Sequence, residues 1–164
     1  MNRILIDLEK CDRCPECTIK CSYFFHPNNN GITSIRELAT FAIFCRQCEH
    51  APCVNSCYHK ALRKEEDGIL RRARFLCTSC KTCSIACPFG VILIDFLQFL
   101  DSCCDFCVGR DSISCMKTCP YQAIQVKDIA EEDITQGIYF VSDKLAVHSK
   151  KWFKDDTVLY KKKK

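Results

Sequence analysis

The chain has 164 residues, 17 of which are cysteines, and a formal net charge of +4. Eight lysines lie in residues 144–164, so residues 1–143 are slightly acidic and the composition does not favour a nucleic-acid-binding protein. The longest apolar stretch, residues 91–100, is interrupted by Asp95 and Gln98 and is about half as long as a membrane span, which predicts a cytoplasmic protein that reaches a membrane only through a partner.

The first group of cysteines follows a short predicted strand. Residues 3–8 alternate weakly between apolar and polar side chains and lead into the group. Its spacing is the C-x2-C-x2-C-x3-C run of bacterial ferredoxins, in which three thiolates reach one iron–sulfur cube and the fourth reaches a neighbouring cube. The members of group one are Cys11, Cys14, Cys17 and Cys21.

The second group has a wider inner gap and precedes a predicted hairpin. Four residues separate its second and third cysteines, and the members of group two are Cys45, Cys48, Cys53 and Cys57. Further on, Glu66-Asp67-Gly68 supplies the Asp-Gly signal of a tight turn. This signal predicts a hairpin between residues 61–63 and 69–70.

The third and fourth groups are each followed by a proline. Group three repeats the spacing of group one and consists of Cys77, Cys80, Cys83 and Cys87. Group four has a seven-residue inner gap and consists of Cys104, Cys107, Cys115 and Cys119. An apolar pair stands four and five residues beyond the last cysteine of groups two, three and four, which indicates a repeated unit of one helical turn followed by a strand.

Other uses of these cysteines are less well supported. A disulfide scaffold suits a secreted chain, but the first residues have no signal-peptide pattern, and dense cysteines outside an oxidising compartment more often bind metal. Zinc sites usually pair two CxxC knuckles a dozen or more residues apart, whereas groups one and three place three cysteines within seven residues. The pattern favours iron–sulfur clusters, with zinc as the remaining metal alternative.

Three stretches resemble a known protein family. CRQCEHAPCVNSC (45–57), CTSCKTCSIACPFG (77–90) and CDFCVGRDSISCMKTCPYQAI (104–124) are similar to the second, third and fourth cysteine motifs of the four-cluster ferredoxin-like electron-transfer subunits. That family includes the beta subunits of formate dehydrogenase and dimethyl sulfoxide reductase, hydrogenase-linked polyferredoxins and the ferredoxin partner of carbon monoxide dehydrogenase. The resemblance covers about residues 1–128.

The resemblance implies an α+β fold built from two nested two-cluster ferredoxin modules. Short hairpins and helices would surround four iron–sulfur cubes. The outer module would comprise residues 1–38 and 96–136, the inner module residues 39–95, and an irregular basic and aromatic tail residues 137–164. We expect the tail to be either frayed or an arm that docks a partner. If it is an arm, deleting residues 144–164 should weaken complex assembly without loss of clusters.

The resemblance also implies four 4Fe-4S clusters with exchanged ligands. The implied sets are Cys11, Cys14, Cys17 and Cys119; Cys104, Cys107, Cys115 and Cys21; Cys45, Cys48, Cys53 and Cys87; and Cys77, Cys80, Cys83 and Cys57. The sequence leaves open a sequential pairing, in which group one exchanges its last cysteine with group two, and group three with group four. Cys103 is left over, and we expect a buried or inert thiol, the alternative being that it replaces Cys104 as a ligand.

No catalytic residues are predicted. Each cube is offered four thiolates, so no iron has an open position for a substrate, and the histidines show no metal or nucleophile spacing. These are His26, His50, His59 and His148, of which His50 and His59 lie beside group two and could tune a cluster.

The sequence therefore predicts a non-enzymatic electron-transfer subunit. The resemblance implies two partners: a catalytic redox subunit, of the molybdenum or tungsten formate dehydrogenase, hydrogenase or carbon monoxide dehydrogenase type, and a second electron carrier, in an anaerobe. A freely diffusing polyferredoxin and an accessory protein for metalloenzyme maturation are the alternatives.

Overall fold

A computed structural model describes residues 2–21, 31–99, 102–107, 113–129 and 137–150. The helices are α1 (Leu8–Asp12), α2 (Ile32–Phe44), α3 (Pro52–Asn55), α4 (Thr82–Ala86) and α5 (Ser114–Thr118). The strands are β1 (Asn2–Asp7), β2 (Leu62–Lys64), β3 (Leu70–Arg72), β4 (Ile124–Asp128), β5 (Ile138–Ser142) and β6 (Leu145–His148). Two 3-10 turns span Arg74–Leu76 and Ile94–Phe96. This mixture of short helices and strands confirms the predicted α+β class.

A four-stranded sheet forms one region of the molecule. Its strand order is β4-β1-β6-β5, with β1 antiparallel to β4 and parallel to β6. Ile4 and Ile6 of β1 pack with Ile124, Leu145 and Val147 in one buried cluster. We call this sheet, together with cysteine groups one and four, the sheet region. The strand predicted before Cys11 is confirmed as β1.

The C-terminal hairpin corrects the prediction of an irregular tail. β5 and β6 pair antiparallel, and β6 also pairs with β1, with Ile4 opposite Leu145. Leu145, Ala146 and Val147 are fully buried. The prediction was wrong for residues 138–148 because their apolar side chains complete the core beside β1. Trp152 and the terminal lysines lie outside the described residues.

A two-stranded hairpin forms the second region. β2 and β3 pair with Leu62 opposite Arg72, which confirms the predicted hairpin. Gly68 has a φ of +76°, and the Asp67 carboxylate accepts a hydrogen bond from the Ile69 N–H at 2.8 Å. We call residues 45–97, which include groups two and three, the hairpin region.

A strand begins shortly after group two and shortly after group four. Among the residues that the structure describes, no strand begins at the corresponding position after group three. β2 and β4 begin at the predicted apolar pairs. After group three, Val91 and Ile92 are buried without joining a strand, and the Ile94–Phe96 turn comes next. The prediction of a strand after group three was wrong, because Val91 and Ile92 pack into the core and pair with no strand among the described residues.

Helix α2 lies between the two regions. Ile32, Ile35 and Ala39 recur on one face and pack into the core of the sheet region, whereas Phe41 packs with Leu62 in the hairpin region. A helix with apolar side chains on two faces buries both of them. No sequence motif predicted this helix.

A buried ion-pair cluster joins α2 to the hairpin region. The Arg72 Nε atom donates to the Glu37 carboxylate at 2.6 Å, and Arg74 donates to the same carboxylate. Arg72 also donates to the Phe96 carbonyl at 2.8 Å. Glu37 and Arg74 are both buried, so each charge is held by its partners rather than by water.

No helix among the described residues has the length and apolar character needed to cross a membrane.

Candidate iron–sulfur cluster sites

All seventeen cysteines lie within the described residues, and none of them forms a disulfide. Within those residues, no three His, Cys, Asp or Glu side chains converge closely enough to hold a single metal ion.

Two cavities in the hairpin region are each lined by four cysteines. The first is bounded by Cys45, Cys48, Cys53 and Cys87. The second is bounded by Cys57, Cys77, Cys80 and Cys83. The last cysteine of group two therefore lies beside the first three of group three, and the last cysteine of group three lies beside the first three of group two.

The pKa values of thiols in these cavities reflect the same neighbours. Burial raises the pKa of Cys53, and the adjacent Cys87 and Cys45 add to the shift. Burial likewise raises the pKa of Cys83 to about 11, with a further contribution from Cys57. Without a metal, such thiols stay protonated at neutral pH, so metal binding must release their protons.

The sheet region brings groups one and four together in the same crossed way. Burial raises the pKa of Cys11 to about 12, the nearby Arg36 opposes the shift, and the neighbouring Cys119 and Cys17 add to it. The Cys14 N–H donates to the Cys11 carbonyl at 3.1 Å. These contacts place Cys119, the last cysteine of group four, beside group one.

The remaining thiols of this region form the reciprocal set. Burial raises the pKa of Cys104 to about 12, the Phe106 N–H opposes the shift, and Cys115 and Cys107 add to it. Burial also raises the pKa of Cys115 to about 11, with contributions from Cys107 and Cys21. Cys21, the last cysteine of group one, therefore lies beside group four.

A repeated turn follows groups two, three and four. The N–H of Lys60, Gly90 and Gln122 donates to the carbonyl of the cysteine three positions earlier, at 3.0, 3.2 and 3.1 Å. All three residues have positive φ angles, of 52°, 63° and 50°. This turn is the structural basis of the repeat that the apolar pairs predicted. Non-glycine residues occupy two of the three left-handed positions, so these positions carry no glycine signal in the sequence.

The same turns direct backbone N–H groups at sulfur. Ala61 donates to the Cys57 Sγ atom at 3.2 Å, and Ala123 donates to the Cys119 Sγ atom at 3.2 Å. A hydrogen bond of this kind favours the thiolate and tunes the potential of an iron–sulfur cluster. Sequence reasoning missed these donors because any residue other than proline supplies a backbone N–H.

A second set of N–H donors lies inside groups two and four. Gln47 donates to the Cys45 Sγ atom at 3.4 Å, and Phe106 donates to the Cys104 Sγ atom at 3.2 Å. Gln47 and Phe106 have φ angles of 52° and 57°, and each stands directly before the second cysteine of its group. Ser79 holds the matching position in group three, with a φ of 58°.

A family comparison identifies an iron–sulfur domain in this chain. The model of a 4Fe-4S dicluster domain matches residues 36–129, which is more than half of the chain. The chain belongs to the 4Fe-4S dicluster family. This result confirms the predicted resemblance to multi-cluster ferredoxin-like electron-transfer proteins.

Relatives of the 4Fe-4S dicluster family from Escherichia coli K12 include short and long chains. The putative electron transport protein YsaA is 34% identical over 79% of this chain and 92% of its own. The electron transport protein HydN is 30% identical over 76% of this chain and 87% of its own. The putative oxidoreductase AegA is 33% identical over 79% of this chain but only 23% of its own length.

The residues that the family pattern leaves unassigned lie in varied surroundings. His59 lines the Cys57 cavity and contacts the Tyr58 ring edge-on, with ring centroids 5.3 Å apart. His50 is exposed, and His148 lies in the sheet region, where its Nδ1 atom is 3.1 Å from the Asp7 carboxylate. His26 is outside the described residues. The tuning role predicted for His50 and His59 stays a prediction.

Cys103 differs from its neighbour Cys104. Cys103 is exposed, so it is not a buried thiol, and the expectation that it is inert stays a prediction. The Cys104 N–H donates to the Ser34 hydroxyl at 2.7 Å, which fixes the backbone of Cys104 against α2. Burial raises the pKa of Cys104, and the nearby thiols of Cys115 and Cys107 add to the shift.

Proposed function

We propose that this chain holds four 4Fe-4S clusters and relays single electrons between a catalytic redox subunit and a second electron carrier. The crossed placement of the last cysteine of each group carries the proposal. The proposed ligand sets are Cys11, Cys14, Cys17 and Cys119; Cys21, Cys104, Cys107 and Cys115; Cys45, Cys48, Cys53 and Cys87; and Cys57, Cys77, Cys80 and Cys83. In this scheme the sheet region and the hairpin region each hold two clusters.

The donor set and its surroundings fit an iron–sulfur cluster. Four thiolates around a cavity match the all-cysteine ligation of a cube, which supplies one-electron oxidation and reduction when it is bound. The protein residues bury the thiols, limit access of water and donate N–H groups to sulfur, as Ala61 and Ala123 do. Folding of such a site is coupled to insertion of the metal.

The proposed role is non-catalytic. Four protein thiolates leave no coordination position for a substrate, and the relatives YsaA and HydN are named as electron transport proteins. AegA carries the matching region within a much longer putative oxidoreductase. That arrangement supports coupling of the module to a redox enzyme, of which formate dehydrogenase, hydrogenase and carbon monoxide dehydrogenase are the proposed types. The dense cysteines support a proposed cytoplasmic location, because thiols stay reduced outside an oxidising compartment.

Iron and sulfide analysis of anaerobically purified or reconstituted protein tests this proposal. We expect about sixteen iron atoms and about sixteen sulfides per chain, and a Cys103→Ser variant with the same content. A fall to about twelve iron atoms in that variant would assign Cys103 as a ligand. Zinc in place of iron in the wild-type chain would contradict the proposed function.

A Cys21→Ser variant separates crossed from sequential ligation. In the crossed arrangement this change perturbs the cluster of Cys104, Cys107 and Cys115. In the sequential pairing it perturbs the cluster of Cys45, Cys48 and Cys53. Cys115→Ser and Cys48→Ser are the matched references, because each changes only one of those two clusters. Electron paramagnetic resonance of the reduced proteins identifies which reference spectrum the Cys21→Ser variant resembles.

A further inference from the structure

Electron exchange requires a cluster that a partner protein can approach. The sixteen proposed cysteine ligands are not equally exposed to solvent. Of the sixteen cysteines, only Cys17 and Cys80 are exposed. Their surroundings are not alike. Cys17 is flanked by small or polar residues of both charges, including Glu16 and Lys20, whereas Cys80 lies in a region with large exposed apolar side chains.

Large apolar side chains stand next to the cysteines of the Cys57, Cys77, Cys80 and Cys83 cavity. Tyr58 directly follows Cys57 and is 90% exposed. Phe75 and Leu76 directly precede Cys77, and Phe75 is 88% exposed. Aromatic side chains of this kind anchor protein–protein interfaces, since they bury a large area at low cost in conformational entropy.

Basic residues accompany these aromatic side chains. Lys60 and Lys81 are exposed, and Lys81 lines the cavity next to Cys80. Residues 50–64 and 68–94 contain no Asp or Glu. We name the surface formed by Tyr58, Lys60, Phe75, Leu76 and Lys81 the Cys80 rim.

Apart from Asp95, the acidic residues of the hairpin region lie elsewhere. Glu49 directly follows Cys48, which lines the Cys45 cavity. Glu65, Glu66 and Asp67 belong to the β2–β3 turn, where a side chain at Gly68 would touch Gln47. Gln47 lines the neighbouring Cys45 cavity, so the acidic turn is beside that cavity. Asp95 is the one acidic residue within two positions of any residue that lines the Cys57 cavity. The charge of the Cys80 rim therefore complements an acidic surface.

We propose that the Cys80 rim is the docking surface for an acidic electron-carrier protein, a proposal that rests on the proposed electron-transfer function. The lysines attract the partner, and Tyr58 and Phe75 contact an apolar area around its redox centre. One electron passes from the reduced chain to the carrier in each encounter. A flavin carrier also takes up one proton from solvent as it forms its neutral one-electron-reduced state.

Stopped-flow mixing of the reduced chain with an acidic flavodoxin tests the charge of the rim. The Lys60→Glu/Lys81→Glu variant should reduce flavodoxin about tenfold more slowly than wild type at low ionic strength, and added salt should narrow the difference. Lys127→Glu/Lys144→Glu, which reverses two exposed lysines of β4 and the β5–β6 turn, is the matched control and should stay within about twofold of wild type. Equal rates in the two double variants would overturn the proposal.

A Phe75→Ser variant tests the apolar anchor. We expect this variant to reduce flavodoxin about threefold to tenfold more slowly than wild type. Its rate should depend on salt concentration as the wild-type rate does, because no charge changes. An unchanged rate would remove Phe75 from the docking surface. If Phe75→Ser instead dissociated a dimer of the wild-type chain in sedimentation, the occupant would be a second copy, and the proposal would fail.

The C-terminal segment is the alternative occupant. A variant that lacks residues 151–164 should reduce flavodoxin no faster than the full chain, because that segment is itself rich in lysine and has the same sign of charge as the rim. An increase of about tenfold or more would identify the segment as the occupant and contradict the proposal.

Two further measurements separate this inference from the proposed function. Iron content and the rate of reduction of basic cytochrome c are measured for every variant. The rim variants could have intact clusters, reduce cytochrome c and still reduce flavodoxin at the wild-type rate. That result would overturn the docking surface alone. A wild-type chain without clusters would overturn the proposed function and the docking surface with it.

Discussion

The sheet region and the hairpin region hold their cysteines in different surroundings. In the sheet region, burial raises the pKa values of Cys11 and Cys104 to about 12, and a four-stranded sheet packs behind them. In the hairpin region Cys80 is exposed, and its pKa is lowered by the Thr82 hydroxyl and backbone N–H. Each region leaves one proposed ligand exposed, Cys17 in the sheet region and Cys80 in the hairpin region, but only Cys80 stands among large exposed apolar side chains. Most large exposed apolar side chains among the described residues also lie in or beside the hairpin region.

Breaking the contact between the regions should have the largest effect. Glu37→Gln leaves the buried Arg72 and Arg74 without a full counter-charge, and we expect a loss of about 3–5 kcal/mol in the free energy of unfolding. Denaturant titration under anaerobic conditions measures this loss. Glu65→Gln, which breaks an exposed pair with Arg63, is the control and should cost about 1 kcal/mol or less. Equal losses in the free energy of unfolding of the two variants would show that the buried ion pair does not link the two regions.

The C-terminal hairpin tests whether the sheet region extends beyond the cysteine motifs. Leu145 is fully buried against β1, so Leu145→Ala should destabilise the protein by about 2–5 kcal/mol. Deleting residues 151–164 keeps β6 whole and should change stability little. The deletion of residues 144–164 suggested by the sequence would remove β6, so it does not isolate a docking role. A Leu145→Ala variant as stable as wild type would contradict the packing of β6 against β1.

A glycine contact tests the packing of Cys104 against α2. A Cβ atom at Gly31 would lie 2.8 Å from the Cys104 Cα atom, so Gly31→Ala must displace the Cys104 backbone. We expect a loss of about 1–3 kcal/mol and iron content that falls toward about twelve atoms per chain. Thr33 lies in the first turn of the same helix and is only half-buried, so Thr33→Ala is the control and should retain the full iron content. Full iron content in Gly31→Ala as well would show that the Cys104 backbone tolerates the displacement.

The smallest expected effect concerns the exposed cysteine. Thr82 Oγ1 donates to the Cys80 Sγ atom at 3.4 Å, and Thr82→Val removes this donor while preserving the side-chain shape. Because a hydrogen bond to sulfur favours the more negative, reduced state, its loss should lower the reduction potential of the associated cluster. A loss of about 1 kcal/mol corresponds to roughly 40 mV for one electron. Redox titration followed by electron paramagnetic resonance measures the change, and Thr78→Val in the same cavity gives a comparison.

Cysteine spacing predicted the family, and the Asp-Gly turn predicted the β2–β3 hairpin, because both depend on short sequence patterns. Spacing also defined the sixteen candidate ligands, although the exchange of Cys21 and Cys119 between groups came only from the family resemblance. Three features of the fold could not be read in this way. The partners of Glu37 are 35 and 37 residues away, the partner strand of β6 lies at the opposite end of the described chain, and the left-handed Lys60 and Gln122 carry no local signal.

The exchanged ligand sets are the central claim, and iron anomalous scattering from crystals of the anaerobic, cluster-loaded protein tests them most directly. We predict four cubes per chain, with Cys119 bonded to the cube of Cys11, Cys14 and Cys17, and Cys21 bonded to the cube of Cys104, Cys107 and Cys115. Cubes bonded to four consecutive cysteines of a single group, or fewer than four cubes, would contradict the account.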